Sequence, residues 1–235
     1  TPYIPFSIPR EEFHRTAQTI AIAPVLGPQG IEVADSSLAQ FDDLIEETLL
    51  GAGYRCVSTT VHTAAWDRII AQMGGLYDSI TGEIDELRFD VAKEQLRRDL
   101  AETHQADYLL YPEIWIVEAW STSGVAKWDG TSQAVVGLGM RIINWIDAAL
   151  NQYDGFLEPG VVDALSLGVI VENMDGVEIF QHVGGIELLK ESDGSEGHDS
   201  SDAFEAVLGD SRRIRRAVKA ALQPFLEVSQ LPSAG

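Results

Sequence analysis

The sequence predicts an α/β (α+β) fold, a three-layer sandwich in which one mixed β-sheet is flanked by helices, and three observations lead there. Residues 106–120 (ADYLLYPEIWIVEAW) form the longest apolar, β-prone run, too rich in Tyr, Ile, Val and Trp for a surface loop, and read as a central strand. Before it, short strand-like runs alternate with helical patterns, the order that builds parallel pairs through right-handed crossovers. After it, residues 165–183 alternate in period two about Met174, Asp175 and Gly176, as a β-hairpin does. The resulting order is β-α-β-α-α-β-(insert)-β-β-α.

Pro2, Pro5 and Pro9 favour an extended N-terminal arm, assigned to residues 1–16. Residues 19–26 read as the first strand, with small Ala residues on one face for close helix packing. Ser37 and Gln40 have capping-box spacing ahead of a helix whose apolar face is Phe41, Leu44, Ile45 and Leu49, ending at Gly51. A short strand at 55–59 precedes a helix capped at Thr63, with Trp66, Ile69, Ile70 and Met73 facing inward. A third helix, over 84–103, buries Phe89, Ala92, Leu96 and Leu100. Residues 121–163 are an insert. Its Asp129-Gly130 pair signals a turn, and residues 134–150 read in their second half as an amphipathic helix with Leu138, Ile142, Ile146 and Ala149 on one face. A flexible acidic loop follows at 190–203. Asp210 or Ser211 then caps a last helix carrying Ile214, Ala217, Val218, Ala221, Leu222 and Phe225 as its apolar stripe. The domain thus spans 17–228, with a tail at 229–235.

A formal net charge of -21 repels phosphate backbones, so nucleic acid is not an expected partner. Cys56 is the only cysteine, which excludes an internal disulfide and leaves no cysteine-based zinc site. No apolar run is long enough for a transmembrane helix. Residues 1–9 have neither a basic start nor a continuous apolar core, so a targeting segment is expected to lie outside them.

No GxSxG, Walker A, GxGxxG or HExxH pattern occurs, and no cofactor is expected. The acidic pairs Asp42 with Glu46 and Asp43 with Glu47 share helix faces, where solvated charge is the ordinary explanation, and no catalytic pair is named. Asp193, Glu196, His198 and Asp199 gather oxygen and nitrogen donors in one loop, a weak candidate metal site without EF-hand spacing. Arg212, Arg213, Arg215 and Arg216 oppose the macrodipole at a helix start in an acidic chain. They either pair with acidic neighbours such as Asp210 and the 191–202 loop or dock an anion or partner. Trp115, Trp120 and Trp128, with Trp145, cluster after the middle of the central strand, as core packing or as a partner surface.

Taken together, TIAIAPV at 19–25, ADYLLYP at 106–112, WDGTSQ at 128–133, the AspGly hairpin, GGIEL at 184–188 and the last amphipathic helix resemble a group of bacterial envelope lipoproteins. These are related in fold to the TolB N-terminal domain, the penicillin-binding-protein activator LpoB and the curli-secretion protein CsgG. The resemblance implies a three-layer domain in the periplasm or on the periplasmic face of the outer membrane. It implies action through other envelope components and no catalytic residues. Within the 235 residues there is no initial cysteine to accept a lipid, so an anchor would need one upstream, and hairpins of the CsgG membrane type are not evident.

The expected function is therefore a non-enzymatic envelope binding or accessory protein, with Trp115, Trp120, Trp128, Arg212, Arg213, Arg215 and Arg216 as the candidate partner surface. The alternatives are an α/β enzyme or small-ligand or metal-binding protein using acidic residues, and self-association through the apolar face of 134–150.

Overall fold

The computed structural model describes residues 4–28, 31, 33–78, 81–122, 125–134, 160–189, 208 and 210–226. Among these the elements are α1 (Arg10–Thr16), β1 (Thr19–Ile22), α2 (Asp35–Gly51), β2 (Arg55–Val57), α3 (Thr59–Met73) and α4 (Glu86–His104). They continue as β3 (Tyr108–Thr122), β4 (Val125–Trp128), β5 (Thr131–Ala134), β6 (Gly160–Asn173), β7 (Glu178–Leu188) and α5 (Ser211–Leu226). The strands form one mixed seven-stranded sheet flanked by helices, the α/β sandwich expected from the sequence.

The 106–120 run becomes β3, and it is the joint of the sheet. On one side it pairs parallel with β1 (Ile20 with Tyr108), which pairs parallel with β2; on the other it pairs antiparallel with β6 (Tyr108 with Asn173), which continues to β7. Pro112, which cannot donate a ladder hydrogen bond, sits opposite Val169 with no register shift there. Its C=O accepts from the Leu26 N–H at 3.0 Å, so its N also faces the β1 side, where β1 has already ended at Ile22. The missing donor therefore falls where there is no strand to receive it.

Alternation along β1 sorts the layers. Ile20 and Ile22 enter a core with α1, α2 and α5, whereas Ala21 and Ala23 face α3 and α4 with Ile69, Ala92, Leu96 and Leu100, so the small residues do lie under helices. The first core is rich in rings: Phe13 lies 4.7 Å from Phe225 and 5.0 Å from Tyr108 between centroids, in tilted geometry.

Four local expectations differ. Residues 1–16 do not form one extended arm: among those described, the chain is extended only to Pro9. Arg10–Thr16 is then a helix, because Pro9 suits a helix start and Phe13 is drawn fully into the core. The Ser37–Gln40 capping box is not used; α2 begins at Asp35, after an Ala34 cap without a side-chain hydrogen bond, and Ser37 is buried in its first turn. Thr63 lies inside α3, since Ser58 alone connects β2 to that helix. The 121–163 insert is shorter than expected. Ser121 and Thr122 complete β3, β4 and β5 form a hairpin, and β6 starts at Gly160, while the helix expected within 134–150 lies outside the described residues.

The β4–β5 hairpin pairs with the far end of β3 and reaches across to β6 and β7. The Trp128 indole N–H donates to Leu165 C=O at 3.1 Å, and the Gly185 N–H donates to Asp129 C=O at 3.1 Å. Two adjacent glycines make β7 thin enough for this. A Cβ on Gly184 would lie 2.5 Å from Ala217 O on α5, and one on Gly185 would lie 2.6 Å from the Thr131 hydroxyl.

Candidate binding surfaces

The far end of the β3–β6 ribbon runs past the helices and leaves part of one face uncovered by described residues. Along it Ile116 pairs with Leu165, Glu118 with Asp163, and Trp120 with Val161. Trp120 is 66% exposed, Val161 44% and Ile116 43%, and Val125 of β4 adds to the same rim. Both acids are exposed, so two like charges stand directly opposite each other between apolar residues, an arrangement that costs stability. Lys127, opposite Trp120 on β4, stands at the edge of the strip.

Of the three tryptophans expected at a partner surface, only Trp120 is presented in this way. Trp128 is 6% exposed and spends its N–H on Leu165, so it belongs to the interior. Its neighbours there include the small Ala119, Ala126 and Ala164, which leave room for the indole beside Leu188. Trp115 is half-buried against β6, its ring filling the space left by Gly168, where a Cβ would come within 2.6 Å of it.

The arginine cluster is mostly engaged within the protein. Arg213 pairs with Asp210 and Glu187, each at 3.1 Å, Arg215 with Glu47 at 3.2 Å, and Arg216 donates to Ile186 C=O at 3.3 Å. Asp210 also accepts from the Arg212 N–H, as a capping residue does. These contacts brace α5 against β7 and α2, which accounts for cations at a helix start. Arg212 remains exposed. Asp193, Glu196, His198 and Asp199 lie outside the described residues, among which no group of three or more His, Cys, Asp or Glu could hold a metal ion.

Two clefts remain. One, of about 410 Å³ beside the β2 edge, includes Glu46, Arg55, Cys56 and His104; burial, aided by the Glu46 charge, pushes the Cys56 thiol up to about 11, so it stays protonated at neutral pH and is a poor nucleophile. The other, of about 470 Å³, lies between the Asp129-Gly130 turn, β7 and α5, and includes His182, Val183 and Gln223. Asp129 holds a left-handed backbone (φ 37°), and its Oδ2 accepts from the Ser166 hydroxyl at 2.6 Å. Burial lowers the His182 pKa, and the Asp129 carboxylate opposes that shift.

The Glu118–Asp163 pair was missed at the sequence level because the two acids are far apart in the chain and only the register of β3 on β6 brings them together. The Asp129-Gly130 turn signal was visible, but not what the turn would touch.

The fold is thus a three-layer α/β domain with a mixed sheet, and comparison with known proteins adds little to it. No protein-family model matches the chain, and no curated protein matches it. Among solved structures, the hypothetical protein CT253 from Chlamydia trachomatis matches at 14% identity, covering 89% of this chain and 98% of that one, with a TM-score of 0.36.

Proposed function

We propose that this protein is a non-enzymatic accessory protein of the bacterial cell envelope, in the periplasm or at the periplasmic face of the outer membrane, that captures a basic amphipathic segment of a protein partner on the Ile116–Trp120 strip. The envelope placement rests on the resemblance of its motifs to envelope lipoproteins. The binding role rests on one observation: Glu118 and Asp163 face each other between Ile116 and the exposed Trp120–Val161 pair. An apolar-acidic-apolar strip is complementary to apolar anchors flanking a Lys or Arg, and such a partner relieves the repulsion between the two carboxylates. A second copy would bring acid onto acid in a chain of net charge -21, so self-association at this strip is disfavoured.

A photo-crosslinking residue at position 120, in the organism that makes the protein, tests this. The expected result is one discrete protein adduct, absent when the crosslinker replaces Arg98 on the outer face of α4. Glu118→Lys should abolish the adduct while raising stability by about 0.5 kcal/mol, because the like-charged pair becomes an opposite one. Identical adducts from positions 120 and 98, or a specific hydrolytic activity lost on changing one cleft carboxylate, would overturn the reading.

A further inference from the structure

The cleft of about 410 Å³ beside β2 collects hydrogen-bond donors that the protein itself does not use. β2 ends the sheet, and its parallel register on β1 sets Arg55 directly beside Thr19, so both side chains turn to the same face. Val57, two residues on, packs with the core of α3 and α4, which identifies that face. Thr19 is 4% exposed. Its N–H donates to Asp107 Oδ2 at 2.8 Å and its C=O accepts from the Asp107 N–H at 2.9 Å, so its backbone is satisfied. Its hydroxyl, shut off from solvent at the wall of the cleft, has no partner among the described residues. A buried hydroxyl left unpaired is costly, and a ligand oxygen would satisfy it. The exposed Arg55 guanidinium likewise pairs with no described carboxylate.

The same cleft takes in the start of α3. Ser58 stands at the cap but its side chain makes no capping hydrogen bond, and the His62 N–H donates to Ser58 C=O at 3.1 Å as the first full turn. The N–H groups of Thr59, Thr60 and Val61 therefore lack an intrahelical acceptor, at the positive end of a helix of 15 residues. Guanidinium, two hydroxyls and three amides are all donors, the set that an oxyanion needs. Glu46 also borders the cleft, but it belongs to α2, on the opposite face of the sheet with Cys56. The net charge of -21 acts from further away and is screened beyond about 8 Å at physiological salt, so the groups inside the cleft govern a small ligand.

We propose that this cleft binds the phosphate group of a small molecule, its oxygens taking the N–H groups at the start of α3, the Arg55 guanidinium and the Thr19 and Ser58 hydroxyls. Phosphate suits the site better than a carboxylate, because its oxygens point in tetrahedral directions and meet donors from two strands and a helix, whereas the two of a carboxylate lie in one plane. The site is separate from the Ile116–Trp120 strip and does not depend on it.

The probe is inorganic phosphate, titrated into the full chain at constant ionic strength and followed by amide NMR, with chloride as the reference. Saturable shifts centred on Thr59, Thr60 and Val61 are expected. Arg55→Gln should weaken binding about tenfold or more, as the loss of a charge-assisted hydrogen bond implies, with Tm unchanged because Arg55 holds nothing within the protein. Thr19→Val keeps the branched side chain and removes only the hydroxyl; it should weaken binding about fivefold while Tm holds or rises, which a merely structural role would not produce. Glycerol 1-phosphate separates the two sources of the group: tighter binding than inorganic phosphate assigns the cleft to a phosphate ester, and weaker binding assigns it to the free anion. Shifts no larger than those chloride produces, or an Arg55→Gln protein that binds phosphate as the parent does, would overturn the proposal.

Discussion

Replacing Gly184 by alanine tests how α5 is held on the sheet. The added Cβ would stand 2.5 Å from Ala217 O and 2.6 Å from Ala221 N, both backbone atoms of α5 that cannot rotate away. An ordinary contact needs roughly 3.4 Å or more, so the helix must retreat by about 0.9 Å. Such a retreat loosens contacts of Ile214, Val218, Leu222 and Phe225, all fully buried. Overpacking against backbone costs about 3 kcal/mol, which lowers Tm by roughly 6–12 °C in a chain of this size. Gly51→Ala is the control, because nothing lies within 4 Å of its added Cβ and it closes α2, where alanine is the better helix former; its Tm should hold or rise slightly. Thermal unfolding followed by circular dichroism reads both. If Gly184→Ala melts within about 2 °C of the parent, the argument that β7 is thin in order to receive α5 is wrong.

Three further outcomes follow from single positions. His62 is buried, neither ring nitrogen has a hydrogen-bond partner among the described residues, and burial lowers its pKa to about 4. The unfolded chain therefore takes up this proton first. The stability held above pH about 6.5 is lost as the pH falls toward 4, by about 3 kcal/mol at most; in urea titrations His62→Leu should remove that portion of the slope, and an unchanged slope would refute it. Trp128→Phe keeps a ring in the interior but leaves Leu165 C=O without its donor, and a loss of about 1–2 kcal/mol is expected in the same assay. Gly176→Ala should destabilise the β6–β7 turn, because its φ is 78° and the new Cβ would lie 2.9 Å from the Arg97 guanidinium; replacing Arg97 by methionine as well should recover only the steric part.

The local rules carried the sequence far. Period-two and helical spacing located β3, the β6–β7 hairpin and the stripe of α5, because which face is buried is written residue by residue along each element. The alanines of β1 pointed to a helix layer for the same reason. What decided the binding surfaces was long-range. Trp120 and Trp128 look alike in the chain, yet one is exposed on the β3–β6 ribbon and the other turns inward from the β4–β5 hairpin, and only the pairing of β4 with β3 separates them. The arginines of α5 read as an anomaly until Glu47 and Glu187 were brought to them from other elements. Glu118 beside Asp163 comes from strand register and order. Composition and periodicity determined which residues would be inside a three-layer fold; tertiary pairing determined which charges and backbone groups would be left facing out, because neighbours distant in sequence satisfy them or fail to.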